Sequence, residues 1–184
     1  MAALLTIQKL RLCSRLVLFA FVLTHFLNHA LGLVSIEAME NFRDIRTTVT
    51  RSIPGTVVLC LALITHIALA LYKTAQRRSL RMGPWEIVQL LFGLAIPYLL
   101  FRHIIAMRVP HELYGINDNY AYAMWAMWPS YAITYGILIP LVWIHACIGI
   151  HFWLRLKTWY PRIRNILLGF AVLIPSAAYA GFSV

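Results

Sequence analysis

The stretch "LVLFAFVLTHFLNHALGLV", residues 16–34, decides the fold class of this chain. It contains no Lys, Arg, Asp or Glu, and its length is close to the ~20 apolar residues that a helix needs to cross a bilayer. Further predominantly apolar stretches follow at residues 53–72, 87–107, 129–154 and 166–182. The sequence therefore predicts an all-α, polytopic membrane bundle of five transmembrane helices that forms a single domain over residues 1–184.

The composition excludes an ordinary soluble domain, because 61% of the 184 residues are hydrophobic, 12% are charged and the mean hydropathy is +0.75. An alternative interpretation of the first stretch is a secretory signal peptide, since Lys9, Arg11 and Arg15 precede it and small residues follow it. Two histidines and an asparagine within it favour a retained helix. The three cysteines fall in different stretches, which predicts neither disulfides nor a cysteine metal site.

The net charge of +10 is arranged as in a membrane protein rather than a nucleic-acid-binding one. Basic residues cluster before the first helix and in the second and fourth loops, whereas five of the six acidic residues lie in the first and third loops. The positive-inside rule then places the N-terminus in the cytoplasm and the C-terminus outside a bacterial inner membrane. We expect lipid and no nucleic acid among its partners.

Histidines occupy four of the five predicted helices, at His25, His29, His66, His103 and His145. An ionisable side chain at membrane depth costs on the order of a few kcal/mol, so it points to function by default. A lone membrane histidine commonly serves as a hydrogen-bonding group between helices. Imidazoles on four helices instead favour a metal site, and pairs on facing helices are how a bundle holds a porphyrin.

Depth along the helices predicts which histidines can pair. His66 and His145 both lie about 10–15 Å from the basic end, so they can share an inner site. His103 lies near the opposite end and can share an outer site with a histidine of the first helix. Depth favours His29 as that histidine. The spacing from His25 to His103 nearly equals the spacing from His66 to His145, which favours His25 instead. Both remain open.

The predicted separation of the two levels, roughly 10–15 Å, suits two stacked haem groups that exchange electrons. A single zinc or copper cluster would bring the histidines to one level. A proton relay is a further alternative, but it would be expected to include acidic residues within the spans, and only Glu86 lies at an edge. We therefore expect two b haems whose iron is bound by histidine. His151 is predicted to face elsewhere, and His111 to lie in an outer loop.

Four arginines near the two levels are candidate partners for haem propionates or a quinone, because guanidinium groups bind carboxylates bidentately. Arg102 and Arg108 flank the outer site, and Arg15 and Arg155 lie near the inner one. An ordinary positive-inside or snorkelling role is an equal alternative for each except Arg102, which is adjacent to His103 inside a span. The polar, aromatic segment 110–125 is either a quinone cap or an ordinary loop.

The histidine pattern, with the segments "THFLN" and "IHACIGIHFWLRLKTW", resembles the dihaem cytochrome b anchor of succinate dehydrogenases and fumarate reductases. In that family the first and third helices hold one haem and the second and fourth hold the other. The resemblance implies His25 as the first-helix ligand and His145 as the fourth-helix ligand. It covers nearly the whole chain.

The segments "THFLNHALGL", "LRMGPWEIVQLLFG" and "WIHACIGIHFWLRL" are more closely similar to the N-terminal membrane anchor of rhizobial-type class III adenylate cyclases. This likeness implies a quinone-responsive redox sensor coupled to a cytoplasmic cyclase, as a homodimer. The anchor itself would not be catalytic, and a cytoplasmic cyclase would need a sixth helix after Val184. The alternatives are a quinone-reducing anchor subunit of succinate dehydrogenase or fumarate reductase, and a cofactor-free membrane protein.

Overall fold

The computed structural model describes residues 2–79 and 81–183, with side chains from residue 6 onward. Within these residues the chain forms seven α-helices and no strand. The helices are α1 (Ala2–Ala30), α2 (Ile36–Thr50), α3 (Ile53–Ala75), α4 (Pro84–Tyr114), α5 (Tyr120–Met127), α6 (Ala132–Leu154) and α7 (Tyr160–Phe182). A 3₁₀ turn, Leu31–Leu33, extends α1.

Five segments are long and apolar enough to cross a membrane, which confirms the predicted fold class. They are Thr6–Leu33, Ile53–Ala75, Pro84–Tyr114, Ala132–Leu154 and Tyr160–Phe182. The share of their most apolar windows that is buried inside the protein ranges from 0% in α4 to 28% in α6. Most of this apolar surface therefore faces outward, as expected of a multi-pass membrane protein in contact with lipid.

The membrane helices differ in length from their apolar stretches. Helix α4, which is the third membrane helix, covers Pro84–Tyr114, whereas the apolar pattern predicts residues 87–107. Pro84 provides a favourable first residue, and Gly115 ends the helix in the left-handed conformation at φ 63°. A helix continues until such end signals are reached, so its bounds need not match the hydrophobic boundary.

Two predicted loops contain helices. Residues 35–52 form α2, where the Ser35 side chain accepts a hydrogen bond from the Ala38 N–H at 3.0 Å. Residues 108–128 contain the end of α4 and the short α5, so His111 lies in the last turn of a helix rather than in a loop. These corrections concern segments too short or too polar for a membrane span, and for them tertiary contact decides the conformation.

The membrane helices pack unevenly. Helix α1 packs against α3 and α7, α4 packs against α6, and α6 packs against α7. By contrast, α1 makes little close backbone contact with α4, and α3 makes little with α6. A core of Phe26, Trp143 and Ala178 forms where α1, α6 and α7 meet. The bundle thus has an α1–α3 layer and an α4–α6 layer, joined mainly through α7.

Two glycines bring α7 into backbone contact with the end of α1. A Cβ atom on Gly32 would lie 1.9 Å from the carbonyl oxygen of Gly181. One on Gly181 would lie 2.2 Å from the carbonyl oxygen of His29. Small residues permit this close approach between membrane helices, so the glycine pair sets the position of the turn that carries His29.

Helix α2 and residues 115–127, here called the cap, close one end of the bundle. Arg51, the residue that follows α2, makes a bidentate ion pair with Asp118, whose Oδ1 atom lies 3.0 Å from Nη1. Glu40 accepts a hydrogen bond from the Tyr120 N–H, and the Tyr120 hydroxyl donates to the Phe182 carbonyl at 2.8 Å. These contacts tie α2, α5 and α7 together at the cap end. The opposite, basic end contains the start of α1 and the α3–α4 and α6–α7 connections.

Candidate functional site

Two histidines meet across the gap between the helix layers in the half nearer the basic end. The ring centroids of His66 on α3 and His145 on α6 are 6.1 Å apart, and their planes are inclined by 84°. Two imidazoles that bind one metal from opposite sides, with metal–nitrogen distances of about 2 Å, have centroids about 6 Å apart. This basic-end pair therefore has a separation suited to a shared metal.

The backbone of α4 fixes the orientation of one ring in this pair. Nδ1 of His145 lies 3.1 Å from the carbonyl oxygen of Gln89. Because a carbonyl can only accept, Nδ1 carries the proton and the lone pair is on Nε2. Metal-binding histidines commonly have this second hydrogen bond. The sequence analysis did not identify Gln89, since any residue type supplies a backbone carbonyl.

Three histidines form a second cluster, the cap-end cluster, in the half nearer the cap. The His25 ring centroid lies 6.0 Å from that of His103 on α4 and 4.6 Å from that of His29. The His29 ring is also edge-on to Phe182, at 5.0 Å. Of the two candidates left open by the sequence, His25 is the one whose ring pairs with that of His103, and His29 stands beside it, also within electrostatic range of His103.

The cap-end cluster contains an unusual number of unsatisfied polar atoms. The Nδ1 atoms of His25, His29 and His103 are buried without a hydrogen-bond partner, as is Oδ1 of Asn28 on the same turn of α1. Each such group costs about 1–3 kcal/mol, so native proteins rarely collect them in one place. Imidazole nitrogens held in this way are suitable donors to a metal.

The two histidine clusters differ from a site that encloses a bare metal ion. Among the side chains that the structure describes, no three or more His, Cys, Asp and Glu are arranged to hold a metal ion. A porphyrin needs only two axial ligands. The two helix layers make little close backbone contact with each other. This arrangement and the paired imidazoles are both compatible with a large flat group.

A recess of about 240 Å³ adjoins the cap-end cluster without including its histidines. Tyr135 separates the two, because it lines the recess and its ring packs edge-on to His103 at 5.3 Å. The recess is also lined by Arg102, whose guanidinium lies 4.9 Å from the centre of the Tyr131 ring. Arg102 therefore faces this recess, whereas its sequence neighbour His103 faces the cluster.

The other three predicted cationic partners differ in their surroundings. Arg108 donates to the Thr56 hydroxyl at 2.9 Å and pairs with Glu112 at 2.7 Å, so its charge is already balanced. Arg15 lies within electrostatic range of both basic-end histidines. Arg155 is exposed at the basic end, where its guanidinium lies 4.8 Å from the centre of the Phe152 ring.

The remaining two histidines belong to neither cluster. His151 Nδ1 lies 2.7 Å from the Tyr160 hydroxyl, which agrees with the prediction that it faces away from His145. His111 lies 3.1 Å from the Ile116 carbonyl oxygen and 3.5 Å from Asp118.

Arg46 on α2 is a site residue that the sequence analysis missed. Its guanidinium lies 5.8 Å from the centre of the Phe21 ring and within electrostatic range of all three cap-end histidines. Burial, together with the nearby charges of Arg51 and Arg43, lowers the pKa of Arg46 to about 10, so it remains charged at neutral pH. Arg46 falls in the first predicted loop, outside the membrane spans, and no local signal shows that α2 docks onto the bundle.

Comparison of the chain with protein-family models, curated proteins and solved structures gives no match. The geometry of the two histidine clusters and the sequence resemblance are therefore the two indications of function.

Proposed function

We propose that this chain is a dihaem b membrane anchor that exchanges electrons with quinone and acts as a redox sensor. The observation that carries the proposal is the pairing of imidazoles from four helices at two depths, with centroid separations of 6.0 and 6.1 Å. When bound, haem iron supplies one-electron chemistry by alternating between its ferric and ferrous states.

The residues of this chain would hold and tune the two groups. His66 and His145 would hold the iron at the basic end, and His25 and His103 would hold it at the cap end. The Gln89 carbonyl keeps the His145 lone pair on Nε2 and increases the basicity of that ring. The apolar helix layers exclude water, which is one of the determinants of a haem potential.

We place the quinone headgroup in the recess beside Tyr135. Arg102 and the hydroxyl of Tyr131 can donate hydrogen bonds to the quinone carbonyl oxygens. The recess opens on α4, none of whose residues is fully buried, so a prenyl tail can extend into lipid. Only Tyr135 separates the headgroup from His103 in this arrangement. Residues 110–125 line no part of the recess, so they are not part of the proposed quinone site.

The proposed output is a cytoplasmic adenylate cyclase, coupled to a homodimeric anchor whose N-terminus is cytoplasmic. This part of the proposal follows the sequence resemblance. The alternative, a quinone-reducing anchor of succinate dehydrogenase or fumarate reductase, predicts that flavin and iron–sulfur subunits co-purify and that succinate reduces the haem.

A reduced-minus-oxidised spectrum of the purified chain tests the haem proposal. A b-type band with two haems per chain is expected, and colourless, folded protein would refute it. Quinol reduction then tests the recess: Arg102→Gln should slow reduction by quinol but leave the dithionite-reduced spectrum unchanged. Arg162→Gln, which removes an exposed arginine at the basic end, is the matched control. Equal quinol rates in both variants would exclude Arg102 from quinone binding.

A further inference from the structure

Among the described residues, the guanidinium of Arg46 has no salt-bridge partner, and Asp118, the carboxylate whose charge reaches it, is already bound by Arg51. It is largely buried on the inner side of α2, and its Nε atom has no hydrogen-bond partner. Three of the four acidic side chains of the cap pair with other arginines, Glu40 and Asp44 with Arg43 and Asp118 with Arg51. The fourth, Glu37, is exposed in the first turn of α2. Burying a cation without a partner costs several kcal/mol, so a functional anion is the expected compensation.

The surroundings of Arg46 indicate where that anion comes from. Phe21 on α1 links the arginine to the cap-end cluster, because its ring lies under the guanidinium and is stacked on His25 at 5.8 Å with planes inclined by 12°. Arg46 also influences all three cap-end histidines electrostatically. Its charge therefore lies at the edge of the cap-end cluster.

The position of Arg46 is also well fixed. The ion pair between Arg51 and Asp118 holds the end of α2, and the hydrogen bond from Tyr120 to Glu40 holds its middle. A guanidinium held in place loses little entropy when it binds a carboxylate through its two-pronged fork. Helix α2 is thus a rigid support for an anion-binding group.

We propose that Arg46 binds a carboxylate of the macrocycle held by the cap-end histidines, which makes α2 part of that cofactor site. This inference rests on the proposed function, since it requires haem. The guanidinium neutralises the carboxylate beside the iron. Without Arg46, an uncompensated negative charge would favour the ferric form and lower the midpoint potential of the cap-end haem.

Redox titration of the full chain in nanodiscs tests the proposal. Arg46→Gln should lower the potential of one haem and leave the other unchanged, and Arg46→Lys should shift it less because the charge remains. Arg77→Gln is the matched control: it removes a partly exposed arginine that pairs with Glu86 at the basic end, at 3.1 Å. The His66→Ala background retains only the cap-end haem and identifies which potential has moved.

Several outcomes would overturn the assignment. Unchanged potentials in both Arg46 variants would do so, as would equal shifts of both haems. A shift seen only in nanodiscs with anionic lipid, and lost in neutral lipid, would make a lipid phosphate the partner of Arg46 instead. If Arg46→Gln does not accumulate, Arg46→Met also removes the charge, and an unchanged potential in that variant at full haem content would count against the assignment. Absence of haem from the wild-type chain would refute the proposed function itself.

Discussion

A Cβ atom on Gly93 would lie 3.0 Å from Cε1 of His145. The backbone of α4 therefore lies directly against the imidazole, one turn after the Gln89 carbonyl that binds its Nδ1 atom. Helix α4 supports the ring of one cluster and contributes His103 to the other. It is the element through which the geometries of the two clusters are linked.

Gly93→Ala is expected to displace the His145 ring and weaken the basic-end site. The added methyl group is held by backbone, so the imidazole has to move by a few tenths of an ångström, enough to distort a bond of about 2 Å to a metal. The measurement is the haem-to-protein ratio and the resolved potentials, with loss or shift of one haem expected.

Gly169→Ala is the matched control, because nothing lies within 4 Å of a Cβ atom at this position. It should retain both haems. An equal spectrum in Gly93→Ala and Gly169→Ala would show that the close contact with α4 does not constrain the site.

His66→Ala and His145→Ala should each remove the same haem and leave about half of the pigment. The double variant should lose no more than either single variant, because two ligands of one iron act as a unit. His151→Ala, which removes an imidazole bonded to Tyr160, should retain the full pigment. Loss of both haems in a folded double variant would contradict the pairing.

Gly181→Ala should destabilise the bundle where α7 meets the end of α1. Overpacking costs about 1–3 kcal/mol, and here the contacting atom is a backbone carbonyl that has little freedom to move. The unfolding midpoint in detergent measures the effect. Gly169→Ala, on the same helix, should be neutral or slightly stabilising. A Gly181→Ala variant as stable as this control would rule out the close backbone contact.

Asp118→Ala should loosen the cap. The Asp118 side chain is 5% exposed, so its removal leaves Arg51 as an unpaired, mostly buried charge, at a cost of about 3–5 kcal/mol. Limited trypsin cleavage within α2 should accelerate strongly. Asp44→Ala is the control, because the Asp44 side chain is 67% exposed, and exposed ion pairs contribute about 0–1 kcal/mol. Equal cleavage rates would argue against a role for Asp118 in docking α2.

Sequence reasoning succeeded with the spans because hydropathy is a property of each segment by itself. It identified five apolar stretches, and five helices of sufficient length are present. It missed α2 and α5, whose formation depends on capping by Ser35 and Asn119 and on contact with the rest of the bundle. Short helices gain most of their stability from such packing, which no local pattern records.

The same distinction between local and tertiary information applies to the candidate site. The rise per residue of a helix was enough to group His66 with His145 and to place His103 at the same depth as the end of α1. The reason is that depth along a helix increases by a constant amount with each residue. The contact between His25 and His103 depends on helix rotation.

The amino-acid sequence by itself determined the all-α class, the number of membrane helices and the side-chain chemistry available at each depth. Only the tertiary structure decided which rings meet, that the Gln89 carbonyl orients His145, and that Arg46 is buried beside the cap-end cluster. The physical reason is that every residue has a backbone carbonyl, so the sequence cannot show which carbonyl will bind a side chain. Likewise, the local sequence around an arginine is the same whether its helix docks onto the bundle or lies in solvent.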